Sequence, residues 1–163
     1  MRIVTPTSDT ELESNVIKRF DNCSIFLAGT IDNGDSKNWQ AEVIYGLIKE
    51  YAKYDLTIYN PRRDRWNKIA SEEELMYQIN WEQDKLNQSN IIVMVLLDDS
   101  KSPVSLMELG EFCQSEKLVV FCTESFYRYA NVLNLCNRCW IPFHNTTDTS
   151  EIIEQLKEIL NSI

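Results

Sequence analysis

The stretch Ile91–Leu97, which reads IIVMVLL, decides the fold that we expect for this chain. Such an unbroken apolar run with β-branched residues is typical of a strand that is buried on both faces of a sheet. Two aspartates end the run, and the segment Ser100–Gly110, SKSPVSLMELG, follows. Within it, Ser102 is suited to the N-cap and Pro103 to the first position of a helix. The sequence therefore predicts a buried strand that leads directly into a helix.

Glu108 is the main candidate for a functional residue in this segment. It lies nearly two turns inside the predicted helix, and Ser105 and Phe112 share its face. Open α/β sheets bind their ligands just beyond the carboxyl ends of the strands, which is where this helix begins. We therefore expect the Glu108 carboxylate at a ligand site, with Ser105 and the strand-terminal Asp98 beside it as substrate-binding residues.

Strand and helix patterns alternate along the rest of the chain. The predicted strands are Ser24–Ala28, Leu56–Tyr59, Ile91–Leu97, Leu118–Cys122 and a short one around Ile141–Phe143. The predicted helices cover Trp39–Tyr51, Ser71–Gln88, the segment after Ser102, Tyr127–Asn137 and Ile152–Leu160. This alternation predicts an α/β protein with three layers, α/β/α, around a five-stranded parallel sheet with right-handed crossovers.

The strand order that we expect is the flavodoxin-like order 2-1-3-4-5, whose switch point lies between strands 1 and 3. This order brings together the loops 29–35, 60–67 and 98–105. The 163 residues fit one domain, 1–163, of which residues 1–22 form an N-terminal arm. Within the arm, Ile3–Val4 is a candidate edge strand, and Asp9–Phe20 is either a helix or irregular.

The chain is acidic, with 16 Lys and Arg against 25 Asp and Glu and a formal net charge of −9. Duplex nucleic acid is therefore not an expected partner, because binding its phosphates needs a basic surface. No apolar run reaches the roughly 18 residues of a membrane span. The first residues lack the apolar core of a signal peptide. We expect a cytoplasmic protein without a membrane span.

The sequence predicts neither a metal site nor a cofactor. Cys136 and Cys139 form a single CxxC motif, whereas a zinc site would need two more ligands. His144 is the only histidine, and its place after a short apolar segment favours a loop residue without a catalytic role. We interpret the cysteine pair as reduced, partly buried thiols, with a zinc site as the alternative.

Glu82 interrupts the apolar stripe of the predicted helix Ser71–Gln88, and Gln78 lies close to it. The apolar positions of this stripe are Leu75, Ile79 and Leu86. A carboxylate that faces inward is unfavourable unless it is paired or lines a cavity. One interpretation is that Glu82 pairs with an arginine of the loop 60–67. The other is that it is a second acid facing the same pocket as Glu108.

Two carboxylates in one pocket suit the cleavage of a glycosidic bond. One can attack or stabilise the anomeric carbon, while the other handles the proton of the leaving group. Three arginines, Arg62, Arg63 and Arg65, follow strand 2 and are suited to a phosphate or carboxylate of the substrate, or to an acidic neighbour. Trp66 and Trp81 are suited to stacking on a base, although aromatic residues near helix ends usually belong to a core.

Four short segments stand in order at the expected places around the predicted strands. They are FLAGTID (Phe26–Asp32), NPRRDRW (Asn60–Trp66), QINWEQDKLNQSNIIV (Gln78–Val93) and SPVSLMELG (Ser102–Gly110). Together these segments resemble the nucleoside 2-deoxyribosyltransferase family, over about residues 24–120.

The resemblance implies a flavodoxin-like sheet and cleavage of the N-glycosidic bond of a 2′-deoxynucleoside or nucleotide. The family's nucleophile, the glutamate of an S-x-x-x-x-x-E-x-G segment, corresponds to Glu108. It would form a covalent deoxyribosyl-enzyme before a second base or water takes the sugar. The acid on the helix before strand 3, an aspartate in most members, corresponds to Glu82 and would act on the side of the base.

The resemblance also implies ligand residues and partners. The ligand loop after strand 1 matches Gly29, Thr30 and Asp32, and Ser102 matches the serine that holds the phosphate in relatives acting on deoxynucleoside monophosphates. The further substrate-binding candidates are Asn60, Arg62, Arg63 and Trp81. Family members form dimers or higher oligomers. The expected partners are therefore a small nucleoside or nucleotide and further copies of the chain.

Two positions depart from the family pattern. The tyrosine of strand 1 is Phe26 here, and the Asp-Gly or Gly-x-Gly before the catalytic glutamate reads Pro103-Val104-Ser105. Two alternatives therefore stay open. One is a glycohydrolase of NAD-like dinucleotides. The other is a nucleotide-binding or sensor module without turnover, which the phenylalanine favours.

Overall fold

A computed structural model describes residues 1–63 and 70–163 and contains a seven-stranded sheet. The strands are β1 (Arg2–Thr5), β2 (Ser8–Glu11), β3 (Ser24–Gly29), β4 (Thr57–Tyr59), β5 (Ile91–Leu96), β6 (Leu118–Cys122) and β7 (Phe143–His144). The helices are α1 (Trp39–Tyr51), α2 (Glu72–Gln88), α3 (Pro103–Phe112), α4 (Tyr129–Cys139) and α5 (Thr149–Ser162). The predicted α/β class with a mostly parallel sheet is confirmed, but the predicted count of five strands is wrong.

The sheet has the order β2-β1-β4-β3-β5-β6-β7. Its five strands from β3 to β7 pair in parallel and follow one another in space as the order 2-1-3-4-5 requires. The other two strands come from the N-terminal arm. Strand β1 pairs in parallel with β4, with Ile3 opposite Ile58, and β2 pairs antiparallel with β1. The arm is therefore part of the sheet.

The rest of the arm is held by a single carboxylate. Asp55, just before β4, accepts hydrogen bonds from the backbone N–H groups of Arg19, Phe20 and Asn22 at 2.7, 2.8 and 3.1 Å. Ile17 also forms an isolated parallel bridge with Tyr54. The backbone groups of this segment find hydrogen-bond partners at Asp55 and in the bridge with Tyr54, so the segment is ordered without forming a helix or a long strand.

Side chains of the central strands alternate between two cores. On β3, Ile25 and Leu27 pack with α1 and α5 on one face, whereas Phe26 and Ala28 pack with α2, α3 and α4 on the other. The helix predicted over Trp39–Tyr51 is confirmed, and its inner face, Trp39, Val43, Leu47 and Tyr51, is fully buried. Helices on both faces of a parallel sheet give the three layers.

The chain changes direction at β3, since α1 leads to β4 on one side of this strand and α2 leads to β5 on the other. Gly29 ends β3 there with φ +128°, and a Cβ atom at this residue would lie 2.1 Å from the backbone oxygen of Val95. Only glycine tolerates this combination of backbone angle and close approach. The two strands can therefore stay paired up to the edge where a ligand would bind.

Candidate active site

A cavity of about 350 Å³ opens at this edge, beyond the carboxyl ends of β3 and β5 and between α2 and α3. This volume lies within the usual range for small-ligand pockets. Its polar lining consists of Asp32, Asn33, Gln78, Glu82, Ser102, Ser105 and Glu108. Its apolar lining includes Phe26, Ile31, Pro61, Leu75, Ile79 and Val104. Mixed walls of this kind suit a ligand with a flat apolar part and several polar groups.

Glu108 lies on the cavity wall formed by α3 and is 7% exposed. Its predicted neighbours on the helix face, Ser105 and Phe112, are also buried. Burial, the nearby Glu82 carboxylate and the charge of Glu111 raise the pKa of Glu108 to about 8. The Glu108 carboxyl group is therefore mostly protonated at neutral pH.

Glu82 reaches the same cavity from α2. Its Oε1 accepts a hydrogen bond of 2.5 Å from Nε2 of Gln78, whose Oε1 accepts from Nε of Arg63 at 2.5 Å. Burial raises the pKa of Glu82, while the Gln78 hydrogen bond and the Arg63 charge oppose this rise. Both interpretations of Glu82 therefore apply in part. Glu82 lines the cavity, and the amide of Gln78 connects it to Arg63.

The predicted apolar stripe of α2 is buried at only one end. Leu86 is fully buried, but Leu75 and Ile79, which we expected to be buried, are 54% and 41% exposed and line the cavity. A 17-residue helix is about 25 Å long, whereas a six-residue strand such as β5 spans about 20 Å. The helix is longer than the strand by about one turn, so the turn that carries Leu75 extends past the sheet, while Ile79 is exposed to the cavity that it lines.

Hydroxyl groups join the loops on the opposite side. The hydroxyl of Ser102 lies 2.6 Å from that of Thr30 and 3.0 Å from that of Ser100, which in turn donates to Asp32 at 2.7 Å. Ser102 occupies the N-cap position of α3 as predicted, but its hydroxyl makes no capping bond and its φ is +43°. Its hydroxyl instead hydrogen-bonds to Thr30 in the loop after β3, so it does not cap the helix.

Arg62 is buried behind this loop. Its guanidinium donates to the backbone oxygens of Gly34 and Ser36, both at 2.7 Å, and to that of Lys37 at 3.3 Å. It also donates to the Ser36 hydroxyl at 3.3 Å. Burial lowers the pKa of this guanidinium. The arrangement makes Arg62 a support of the cavity wall, and it does not line the cavity.

The structure brings part of the predicted site together. The two predicted catalytic acids, Glu82 and Glu108, line the cavity, and so do the predicted ligand residues Gly29, Asp32, Ser102 and Ser105. Thr30 lies behind the wall, where its hydroxyl accepts from the backbone N–H of Leu97 at 2.9 Å. Arg63 does not line the cavity, and its Nε donates to Oε1 of Gln78, which does.

Three further candidates lie outside the cavity. Asn60 accepts from the backbone N–H of Arg62 at 3.0 Å, and Asp98 accepts from the hydroxyl of Thr123. Trp81 packs on Phe26 with 6.2 Å between the ring centroids, so it supports the ring that lines the cavity. Arg65 and Trp66 lie outside the described residues.

Several cavity residues carried no signal of their own in the sequence. Val104, Pro61 and Ile31 are ordinary apolar residues, and only their place after strand ends distinguishes them. Gln78 had a signal, since a polar residue near Glu82 on the inner stripe of a helix needs a partner. That partner, the backbone oxygen of Pro61 at 3.0 Å, comes from a different part of the chain.

Within residues 1–63 and 70–163, no three metal-binding side chains lie close enough to hold an ion. The five cysteines are free thiols, and burial raises the pKa of Cys136 to about 11. In the same part of the chain, no helix has the length and apolar character needed to cross a membrane.

Comparison with known proteins identifies the family. A family model described as "nucleoside 2-deoxyribosyltransferase like" matches residues 22–126, which include β3 to β6 and every cavity-lining residue. A search of curated proteins finds no match. Among solved structures, the chain is similar to a conserved protein from Enterococcus faecalis V583, with a TM-score of 0.61 and 12% identity. The match covers 83% of this chain and 98% of the other, and at this identity it shows the fold alone. On the family match, this chain belongs to the nucleoside 2-deoxyribosyltransferase-like family.

Proposed function

We propose that this protein cleaves the N-glycosidic bond of a 2′-deoxynucleoside or nucleotide and transfers the deoxyribosyl group to another base or to water. The observation that carries the proposal is the pair of carboxyl groups, Glu108 and Glu82, which reach one cavity from two helices and interact electrostatically. Family membership supports glycosyl transfer as the reaction type. In this assignment Glu108 is the nucleophile and Glu82 handles the proton on the side of the base.

The reaction needs one proton on the pair. A Glu108 oxygen bonds to the anomeric carbon while the bond to the base breaks, and the base nitrogen takes the electron pair and a proton from Glu82. In the second half, a base or water attacks the same carbon, Glu82 takes its proton, and Glu108 leaves as a carboxylate. With its pKa of about 8, Glu108 is mostly protonated at neutral pH. The reactive form has Glu108 ionised and a proton on Glu82, so substrate binding has to favour that arrangement of the pair.

Release of free base is the test of this proposal. The protein is incubated with a mixture of 2′-deoxynucleosides and their monophosphates, and free base is separated by liquid chromatography. We expect base release that Glu108→Ala abolishes. Glu116→Gln is the control, since Glu116 is exposed in the loop after α3 and lies outside the cavity lining. This control should keep most of the activity.

Other outcomes assign other functions. If the Glu108→Ala variant still releases base, Glu108 is not the nucleophile. Nicotinamide release from NAD, without release of base from deoxynucleosides, would favour a dinucleotide glycohydrolase. Tight binding without turnover would favour a nucleotide-binding module. Phe26 is a specific observation in favour of that last function, because it presents a ring without a hydroxyl beside the cavity.

We also infer that the protein acts as a homodimer or higher oligomer. Large apolar side chains are exposed on α2 and α3, namely Leu75, Met76, Ile79, Val104 and Met107. Three of them, Leu75, Ile79 and Val104, also line the cavity. Exposed apolar patches often mark an interaction site. Light scattering of the purified protein should give a mass above the 19.1 kDa of one chain, and Val104→Asp should lower it. A monomer at all concentrations would contradict the inference.

A further inference from the structure

Gln78 occupies a junction between three parts of the chain. Its Nε2 donates to Glu82 Oε1 at 2.5 Å and to the backbone oxygen of Pro61 at 3.0 Å. Its Oε1 accepts from Nε of Arg63 at 2.5 Å. The side chain is buried although it is polar. A buried amide with three partners is under strong geometric constraint.

The partners fix the orientation of the amide. Its NH₂ group faces two acceptors, and its carbonyl oxygen faces a donor. If the amide were reversed, oxygen would face both the Glu82 carboxylate and a backbone oxygen, and NH₂ would face the guanidinium. Only one of the two orientations satisfies all three contacts. The Glu82 carboxylate therefore meets a donor that cannot turn away.

From this junction we propose that Gln78 is a positioning residue, which holds one oxygen of the Glu82 carboxylate and links it to the guanidinium of Arg63. The proposal rests on the function proposed above for Glu82. Gln78 itself transfers no proton, since an amide is neither an acid nor a base at neutral pH. It directs Glu82 and keeps its proton available to the base, while Arg63 anchors the amide from behind.

The charges near Glu82 are few among the described residues. Arg63 approaches from the segment after β4 and Glu108 from α3, and Asp32 lines the same cavity from the loop after β3. On α2 itself, Gln78 is the group that contacts Glu82. Arg63 is the cation of this set, and within the described part of the chain it also donates to the backbone oxygen of Glu74 at 3.4 Å. Loss of the amide would leave the Glu82 carboxylate beside Glu108 without this donor.

Loss of the Gln78 amide should shift the pH dependence of base release in one direction. Without the Gln78 donor, the ionised form of Glu82 is less stable, so the pKa of Glu82 rises. The pair then releases each of its protons at a higher pH, and the optimum for base release moves to higher pH. A residue with a purely structural role would lower activity equally at all pH values.

The decisive variant is Gln78→Met, which keeps the length of the side chain and removes its donor and acceptor. Gln88→Met is the matched control, because Gln88 lies on the same helix, is exposed, and contacts only Lys85 through its side chain among the described residues. In a Glu108→Gln background, the Glu82 carboxyl group is titrated by ¹³C NMR. We expect Gln78→Met to raise its pKa by about one unit, as loss of a hydrogen bond to a charged group implies.

Kinetics supply the second readout, in proteins that keep Glu108. We expect Gln78→Met to lower kcat by about tenfold or more, with a much smaller change in KM, because the misdirected acid affects the chemical step. The optimum should move to higher pH. Arg63→Met, which leaves Gln78 in place, should shift both readouts in the same direction by a smaller amount, and it decides the question if Gln78→Met does not fold.

The outcomes separate this inference from the proposed function. If the Glu82 titration and the pH optimum are the same in Gln78→Met and Gln88→Met, Gln78 is not a positioning residue. If the titration shifts but the wild-type protein releases no base, the positioning stands and the proposed function fails. If base release depends on Glu108 but not on Gln78, the function stands and this inference fails.

Discussion

The hydroxyl of Ser102 lies 2.6 Å from the hydroxyl of Thr30, so the residue before α3 is tied to the end of β3. Both residues are buried, and Thr30 also accepts from the backbone N–H of Leu97. This tie closes one side of the cavity. It places the start of the helix that carries Glu108 against the strand at the switch point of the sheet.

Replacing Ser102 separates the role of its hydroxyl from that of its backbone. We expect Ser102→Ala to lower the free energy of unfolding by about 1–2 kcal/mol, since a buried hydrogen-bond network loses a member. Ser102→Gly should be less destabilising by up to about 1 kcal/mol, because glycine adopts the φ of +43° without strain. Urea unfolding measures both. Equal stability of Ser102→Ala and wild type would contradict the role of the tie.

Arg62 should control the order of the loop after β3. We expect Arg62→Met to lower the free energy of unfolding by about 2–3 kcal/mol, because backbone acceptors lose a charged donor. Arg62→Lys should not restore it, since an ammonium lacks the planar fork of donors. Hydrogen exchange at Gly34, Asp35 and Ser36 should become faster. Arg128→Met, at an exposed position, is the control that should change none of these.

The stability of the protein should fall between mildly acidic and alkaline pH because of Glu108. Its pKa lies at about 8 in the folded protein against an ordinary value of 4.5. The folded state therefore binds the proton more tightly, and this stabilisation is lost as pH rises from about 4.5 through 8. The loss is at most about 5 kcal/mol, at 1.36 kcal/mol per pKa unit.

Glu108→Gln removes this titration. We expect the variant to be more stable than wild type at pH 9 and to differ much less at pH 5, in thermal unfolding followed by circular dichroism. Glu116, which is exposed in the loop after α3, provides the control, since Glu116→Gln should give no such gain at high pH. A Glu108→Gln curve parallel to that of wild type over this range would show that the Glu108 carboxyl group is not desolvated.

Two glycines should respond in opposite ways to the same substitution. Gly29→Ala places a Cβ atom 2.1 Å from the Val95 backbone oxygen at φ +128°, so we expect loss of several kcal/mol or failure to fold. Gly110→Ala has nothing within 4 Å of its Cβ atom and lies in α3, so it should raise stability by up to about 1 kcal/mol. Thermal unfolding of the two variants tests the pair. Similar losses would contradict the packing argument.

Local sequence signals predicted the centre of the molecule well. The strand Leu118–Cys122 has the predicted bounds, and Ile91–Leu97 differs by one residue. The helix predicted over Ser71–Gln88 begins with a reciprocal cap between Ser71 and Glu74 and ends at Gln88. These features depend on residues a few positions apart, where apolar runs and caps are specific.

The features that the sequence did not reveal depend on distant partners. Strand β2 reads SDTE and is exposed on both faces, so apolar and polar residues do not alternate along it. It is a strand because it pairs with β1, which in turn pairs with β4. The cluster of arginines after β4 likewise does not show whether the guanidinium of Arg62 binds a ligand or backbone carbonyl groups of its own chain. The exposure of Leu75 follows from the length of α2 relative to β5, which no pattern within the helix expresses.

The position of β2 also bears on how the protein avoids aggregation. It is the outermost strand on its side of the sheet, and an edge strand offers unpaired backbone groups to other chains. Its four residues are exposed and polar. Asp9 pairs with Arg2 of β1, and Glu11 adds a negative charge in a chain of net charge −9. This edge therefore offers a second molecule only a short, polar and charged strand. The N-terminal hairpin thus protects the central sheet from edge-to-edge growth.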